Sequence, residues 1–186
     1  MKTIKVLVTV LLVASTAAWA GESVDRTVAA SADVTVEIEN VSGSVEVEAW
    51  DRNEVRVVAE LGDDTEGLDI EGEGDEIRIE VEVPEHSGRW SRRDINSEVK
   101  VWVPVGASVG VESVSASIDV HGVNGDIDLE SVSGDIDADG EPESADMSTV
   151  SGSIEFSGQR TAVDAETVSG TIRLDGVAGR VDASTV

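Results

Sequence analysis

The chain has 186 residues with 39 acidic against 13 basic side chains, a net charge of −26. So acidic a surface repels nucleic acid, whose binding rests on phosphate neutralisation, and it repels anionic lipid as well. There are no cysteines and aromatics make up only 3% of the residues, so backbone ladders and small branched side chains must hold the fold, without disulfides or a bulky aromatic core.

Residues 1–20 read as a signal peptide. Lys2 and Lys5 form a positive start, Val6 to Val13 is apolar except for Thr9, and Ala18-Trp19-Ala20 is a small-x-small cleavage site before Gly21. The apolar run is too short to span a bilayer and no stop-transfer pattern follows. The expectation is an exported protein of the periplasm, cell surface or extracellular space, with no transmembrane segment after cleavage. Cleavage removes two lysines and no acid, which deepens the charge to −28.

Residues 21–30 read as a short polar lead-in. An N-terminal β-strand region follows over 31–104. There Val34, Val36 and Ile38, then Val45 and Val47, Val55 and Val57, Ile77 to Val83, and Val99 to Val103 alternate with polar partners. Period two with polar partners predicts strands with one buried face. Nothing after residue 21 sustains a helical period. Residues 85–98 interrupt the pattern and predict an exposed loop. Arg89, Trp90, Arg92 and Arg93 in it form a basic, aromatic patch suited to an anionic partner such as an envelope glycan, or to local pairing with the protein's own carboxylates.

From Val105 the chain aligns with itself every nine residues without a gap. Positions one, five and seven of each unit are mostly apolar, and position three is usually glycine. Position nine alternates between hydroxyl and glycine, through Ser113, Gly122, Ser131, Gly140, Thr149, Gly158, Thr167, Gly176 and Thr185. The full repeat is therefore eighteen residues in two unlike halves. This predicts an all-β fold: a parallel β-solenoid over 105–186, with 18-residue coils of two 9-residue halves, preceded by the alternating strands. Positions five and seven point inward and four and six outward. Glycine at position three would permit a corner at positive φ. The period calls for another unit after Val186, so a longer protein is expected.

The run Ile38 to Trp50 followed by Asp51, and the V-S-G-[DST]-I repeats at Val132, Val150 and Val168, resemble a bacterial domain-of-unknown-function family labelled putative adhesin. The resemblance spans roughly residues 31–186. It implies an exported β-solenoid at the cell envelope and supplies no catalytic residues.

Three motifs could carry chemistry. Gly106-Ala107-Ser108-Val109-Gly110 matches a nucleophile elbow, but no helix follows and the one downstream histidine is His121. Asp135 to Gly140 with Asp146 has calcium-loop spacing, yet carboxylates alternating along a strand stand about 6.8 Å apart, too far to share one ion. Position six offers a better set across coils: Asp128, Asp146 and Asp164, at about 5 Å spacing, are the candidate calcium ligands. No other cofactor is expected. The reading is a non-enzymatic adhesin or binding scaffold for an envelope or extracellular partner, glycan or protein, and not for nucleic acid. A calcium-stabilised roll and a polysaccharide-acting enzyme on a β-helix are the alternatives.

Overall fold

In the computed structural model, residues 23–84, 95–159 and 161–186 are described. The signal peptide of residues 1–20 and the Arg89, Trp90, Arg92 and Arg93 patch lie outside them. The described residues form twelve strands and no helix: β1 (Ser23–Trp50), β2 (Glu54–Glu60), β3 (Gly67–Glu82), β4 (Ser97–Pro104), β5 (Ser108–Val123), β6 (Ile127–Ser131), β7 (Ile136–Gly140), β8 (Ser144–Thr149), β9 (Ile154–Gly158), β10 (Ala162–Thr167), β11 (Ile172–Asp175) and β12 (Val181–Thr185). All belong to one sheet, mostly parallel and not closed.

β5 organises the C-terminal half. Its first part pairs with β6 and its second with β7, so two stacks grow from one strand. The first stack runs β5-β6-β8-β10-β12 and the second β5-β7-β9-β11. Each strand pairs with the one eighteen residues later. Ile127 faces Ala145, which faces Val163, which faces Val181. Ile136 faces Ile154, which faces Ile172. Chemically like side chains therefore form columns, and the inner columns make the core. Ile118, Ile136, Ile154, Leu129 and Phe156 are fully buried. Each such side chain contributes about 1.5–3 kcal/mol by leaving water.

The N-terminal region joins the same sheet across the 104/105 boundary. Residues 35–48 of β1 lie parallel to 108–121 of β5 and, like β5, bend from one stack into the other. The bend falls at Gly43, whose φ of +116° favours glycine and whose Cβ would stand 2.0 Å from the carbonyl oxygen of Ser97. On their far side, residues 35–39 pair with β3 and residues 43–50 with β4. The expected polar lead-in is itself strand from Ser23 onward. Residues 23–29 pair antiparallel with β2, which in turn pairs antiparallel with β4. Only Val24 and Val28 are apolar before Ala29 in this stretch, a pattern too thin to mark a strand before its partners are known.

The corners between the stacks follow the V-S-G signature, but for a different reason than positive φ. Gly125, Gly134, Gly152, Gly170 and Gly179 are not among the positive-φ glycines. Instead, the carbonyl oxygen eighteen residues earlier occupies the place of a Cβ. A Cβ on Gly134 would lie 1.8 Å from Ala116 O, and on Gly152 2.0 Å from Gly134 O. The position-nine hydroxyl braces the same corner from inside. Ser131 Oγ accepts from Gly134 N at 2.9 Å, Thr149 Oγ1 donates to Gly134 O at 3.1 Å, and Thr167 Oγ1 donates to Gly152 O at 3.1 Å. These hydroxyls are buried yet satisfied, as buried polar groups must be.

Gly152→Ala is expected to destabilise by about 1–3 kcal/mol or more through overpacking at the corner, and Ile154→Ala by about 2–5 kcal/mol through cavity formation. Gly110→Ala, whose Cβ would meet nothing nearer than 4.0 Å, should stay within about 0.5 kcal/mol. Urea unfolding of the three variants against the parent checks the order.

Candidate binding face

The outer face of the second stack is read across strands, because registers place residues distant in sequence side by side. One row runs Arg56, Trp102, Glu48, His121, Asp139. The next runs Val58, Lys100, Glu46, Asp119, Asp137, Glu155, Arg173. Outward positions of one pleated face meet as direct cross-strand neighbours.

The N-terminal end of this face is aromatic and cationic. The Trp50 and Trp102 rings lie 6.4 Å apart, tilted by 33°. Arg52 lies 4.9 Å above the Trp50 ring, while Arg56 and Lys100 lie 5.2 and 5.1 Å from that of Trp102. Such contacts are worth about 0.5–1 kcal/mol each at exposed sites. Hydrogen bonds orient the rings: Trp102 Nε1 donates to Glu48 Oε2 and Trp50 Nε1 to the Glu54 carbonyl, both at 2.8 Å. Lys100 Nζ donates to Glu46 at 2.7 Å and Glu48 at 3.1 Å. Arg56 grips Asp25 with two bonds of 3.0 and 2.8 Å. Lys100 and Trp102 hold the Glu48 carboxyl below its ordinary range, as Arg56 does for Asp25. No local period announces the grouping of Trp102 and Lys100 with Glu48 and Glu46, because β1 and β4 partners are 54 residues apart.

Further along, His121 Nδ1 lies 2.6 Å from Asp139 Oδ2, and Gly122 N donates to Asp139 Oδ1 at 3.2 Å. Burial works against the charged imidazole, but the bond and charge of Asp139, with the charges of Asp137 and Asp119, hold the His121 pKa above its ordinary value. Asp119 is raised by burial first and by Asp137 second.

The first stack carries the acidic column expected from position six. Asp128 pairs with Asp146, and Asp146 with Asp164. Burial and the charges of Asp128, Asp164 and Asp126 raise the Asp146 carboxyl. Among the described residues, no group of three or more carboxylates or imidazoles is arranged to hold a metal ion. The nucleophile-elbow residues are also separated. Ser108 opens β5 in the first stack, where its Oγ accepts from Asp126 N at 3.3 Å, while His121 lies in the second stack beside Asp139. Likewise Asp135 accepts from Ser153 N at 2.7 Å and Asp139 is engaged by His121, so two of the calcium-loop aspartates bond along the stack instead of converging. No helix among the described residues is long and apolar enough to cross a membrane.

Two outcomes follow from these charges. Two carboxylates about 5 Å apart in water repel by about 0.8 kcal/mol, so Asp146→Asn, which relieves two such contacts, should raise the melting temperature at low salt. The gain should shrink at 0.3 M salt as screening grows. The second concerns pH. Raised folded pKa values at His121, Asp119 and Asp146 mean that the folded chain takes up protons more readily than the unfolded one. The His121 contribution is complete below the ordinary histidine pKa and is lost as pH rises through the folded value. Asp25 and Glu48, being lowered, act oppositely and lose stability as pH falls through their folded values. Melting temperature should therefore rise from pH 8 to about pH 5.5 and fall again below about pH 4. His121→Gln should flatten the upper limb, and thermal melts at constant ionic strength check both limbs.

No protein-family model matches the sequence, and no curated protein does. Among solved structures, a putative cell adhesion protein from Clostridium sporogenes is similar with a TM-score of 0.57 at 8% identity, over 88% of this chain and 100% of that one. A putative adhesin from Parabacteroides distasonis gives a TM-score of 0.46 at 15% identity, over 89% and 79%. A putative adhesin from Bacteroides fragilis gives 0.46 at 8% identity, over 88% and 96%. At these identities the likeness is one of fold: the chain has the all-β architecture of the Clostridium sporogenes protein from end to end of that structure.

Proposed function

We propose that the protein is an exported, non-enzymatic binding scaffold of the adhesin kind, whose chain winds as a β-solenoid of 18-residue coils and offers the outer face of the second stack to an envelope or extracellular partner, glycan or protein. The observation that carries this reading is the arrangement of the chemistry-bearing side chains. They are strung along rows, one to a strand, and Arg56, Trp102, Lys100, His121 and Arg173 are each held by a carboxylate nearby. Catalysis needs its acid, base or nucleophile and its charge-stabilising groups to converge on one reacting centre. A row of this kind instead suits recognition spread over an extended partner. The fold shared with a putative cell adhesion protein and the signal-like N-terminus support the same reading.

Trp50, Trp102 and Lys100 are the expected centre of the contact, because rigid aromatic and cationic groups dominate binding energy where they are desolvated. The test is retention of bead-bound protein on intact bacterial cells and on purified envelope polysaccharide and protein fractions. Saturable retention with no release of reducing ends is expected, with Trp102→Ala weakening it about tenfold. Turnover of any polysaccharide, or saturable binding to none of the fractions, would contradict the proposal.

A further inference from the structure

The position-one valines of the V-S-G corners are not core residues. Val114, Val132, Val150 and Val168 are 50%, 48%, 46% and 47% exposed, in a molecule whose other outward positions are largely acidic. They stand in one column on the outside of the corner, and Val41 extends it, since Asn40 faces Ser113 and Ser42 faces Ser115. Backbone bonds fix the spacing. Val132 N donates to Ser113 O at 3.3 Å, Ser133 N to Val114 O at 3.0 Å, Val150 N to Ser131 O at 3.3 Å and Ser151 N to Val132 O at 3.0 Å.

The corner does not need valine. Its inside is secured by the glycine and hydroxyl columns, and threonine would supply the same β-branched backbone preference without exposing apolar surface. Exposed apolar surface gathered in one place marks an interaction site more often than scattered apolar residues do. Beside the ridge, Glu112, Glu130 and Glu166 are exposed, each two residues before a valine.

We propose that this valine ridge is a docking site for a cationic amphipathic α-helix of a partner protein. The adjacent glutamates, with a net charge of −28 after signal removal, select a basic partner and repel both a second copy and an anionic membrane. The spacing selects a helix. Successive valines stand about 4.8 Å apart, against about 5.4 Å for a helical turn and about 6.7 Å for two residues of a strand. Over the three steps from Val114 to Val168 a helix drifts by about 2 Å and a strand by about 6 Å. Only the helix keeps apolar side chains seated between valines along the whole column.

The test uses the full chain and a designed leucine-lysine amphipathic helical peptide, with a scrambled peptide of the same composition and phosphatidylcholine vesicles as comparison arms. The amphipathic peptide should bind more tightly than the scrambled one. The triple variant Val132→Thr/Val150→Thr/Val168→Thr should weaken it about tenfold or more, with melting temperature nearly unchanged. Glu130→Gln/Glu166→Gln should weaken it as well. A photo-crosslinker on the peptide should attach to the unmodified protein between Glu112 and Ser169, which keeps the proposal falsifiable if the threonine variant folds poorly. Equal binding of both peptides, undiminished binding to the threonine variant, or crosslinks elsewhere would overturn it. So would ridge-dependent self-association, or binding of neutral vesicles that valine replacement abolishes.

Discussion

Successive strands sit one hydrogen-bond spacing apart in register eighteen, and at the V-S-G corners that spacing leaves no room for a Cβ. The carbonyl of residue n occupies the volume that a Cβ at residue n+18 would need, at Gly134, Gly152 and Gly170 alike. That close approach lets the backbone continue its ladder through the corner, and it aligns each residue with its counterpart in the next repeat. The hydroxyl at position nine then closes the inside of the corner by bonding to the same glycine.

Alignment into columns has an electrostatic cost as well as a packing benefit. A column of isoleucines is a core, whereas a column of aspartates is a line of like charges. The molecule relieves this unevenly. On the second stack, Arg173 bonds Glu155 eighteen residues before it, and His121 bonds Asp139 eighteen residues after it. On the first stack, Asp128, Asp146, Asp164 and Asp182 follow one another along the column with no cation among them, and burial together with neighbouring carboxylates raises Asp146. Exposed ion pairs contribute little individually, about 0–1 kcal/mol. Their importance here lies in which stack carries compensated charge and which does not.

The repeat was legible because identical corners impose identical residue types. Valine, serine and glycine at 132–134, 150–152 and 168–170 mark it without any structure. The inner columns were legible for the same reason. Other features were hidden by their sequence separation or by weak patterning. The antiparallel strand over residues 23–29 lacks alternation and takes its definition from β2. The Trp50 and Trp102 face arises from pairing of β1 with β4, which no local period announces. The His121–Asp139 pair has a signal in the sequence, since both occupy position eight of units two apart, but it is fainter than the run of acids at position six. The glycine positions are legible in the sequence but their cause is not: the constraint is contact with the preceding strand, not a left-handed backbone.

The central claim is that residues eighteen apart face each other directly. The chain has no cysteine, so an introduced pair reports on proximity without interference. Glu130 and Ser148 are outward partners in β6 and β8. The double variant Glu130→Cys/Ser148→Cys should oxidise to an intramolecular disulfide, which requires Cα atoms about 4.4–6.8 Å apart. The pair Glu130→Cys/Asp139→Cys, nine residues apart and on different stacks, should not. Rapid bridging of the second pair with none of the first would contradict the account.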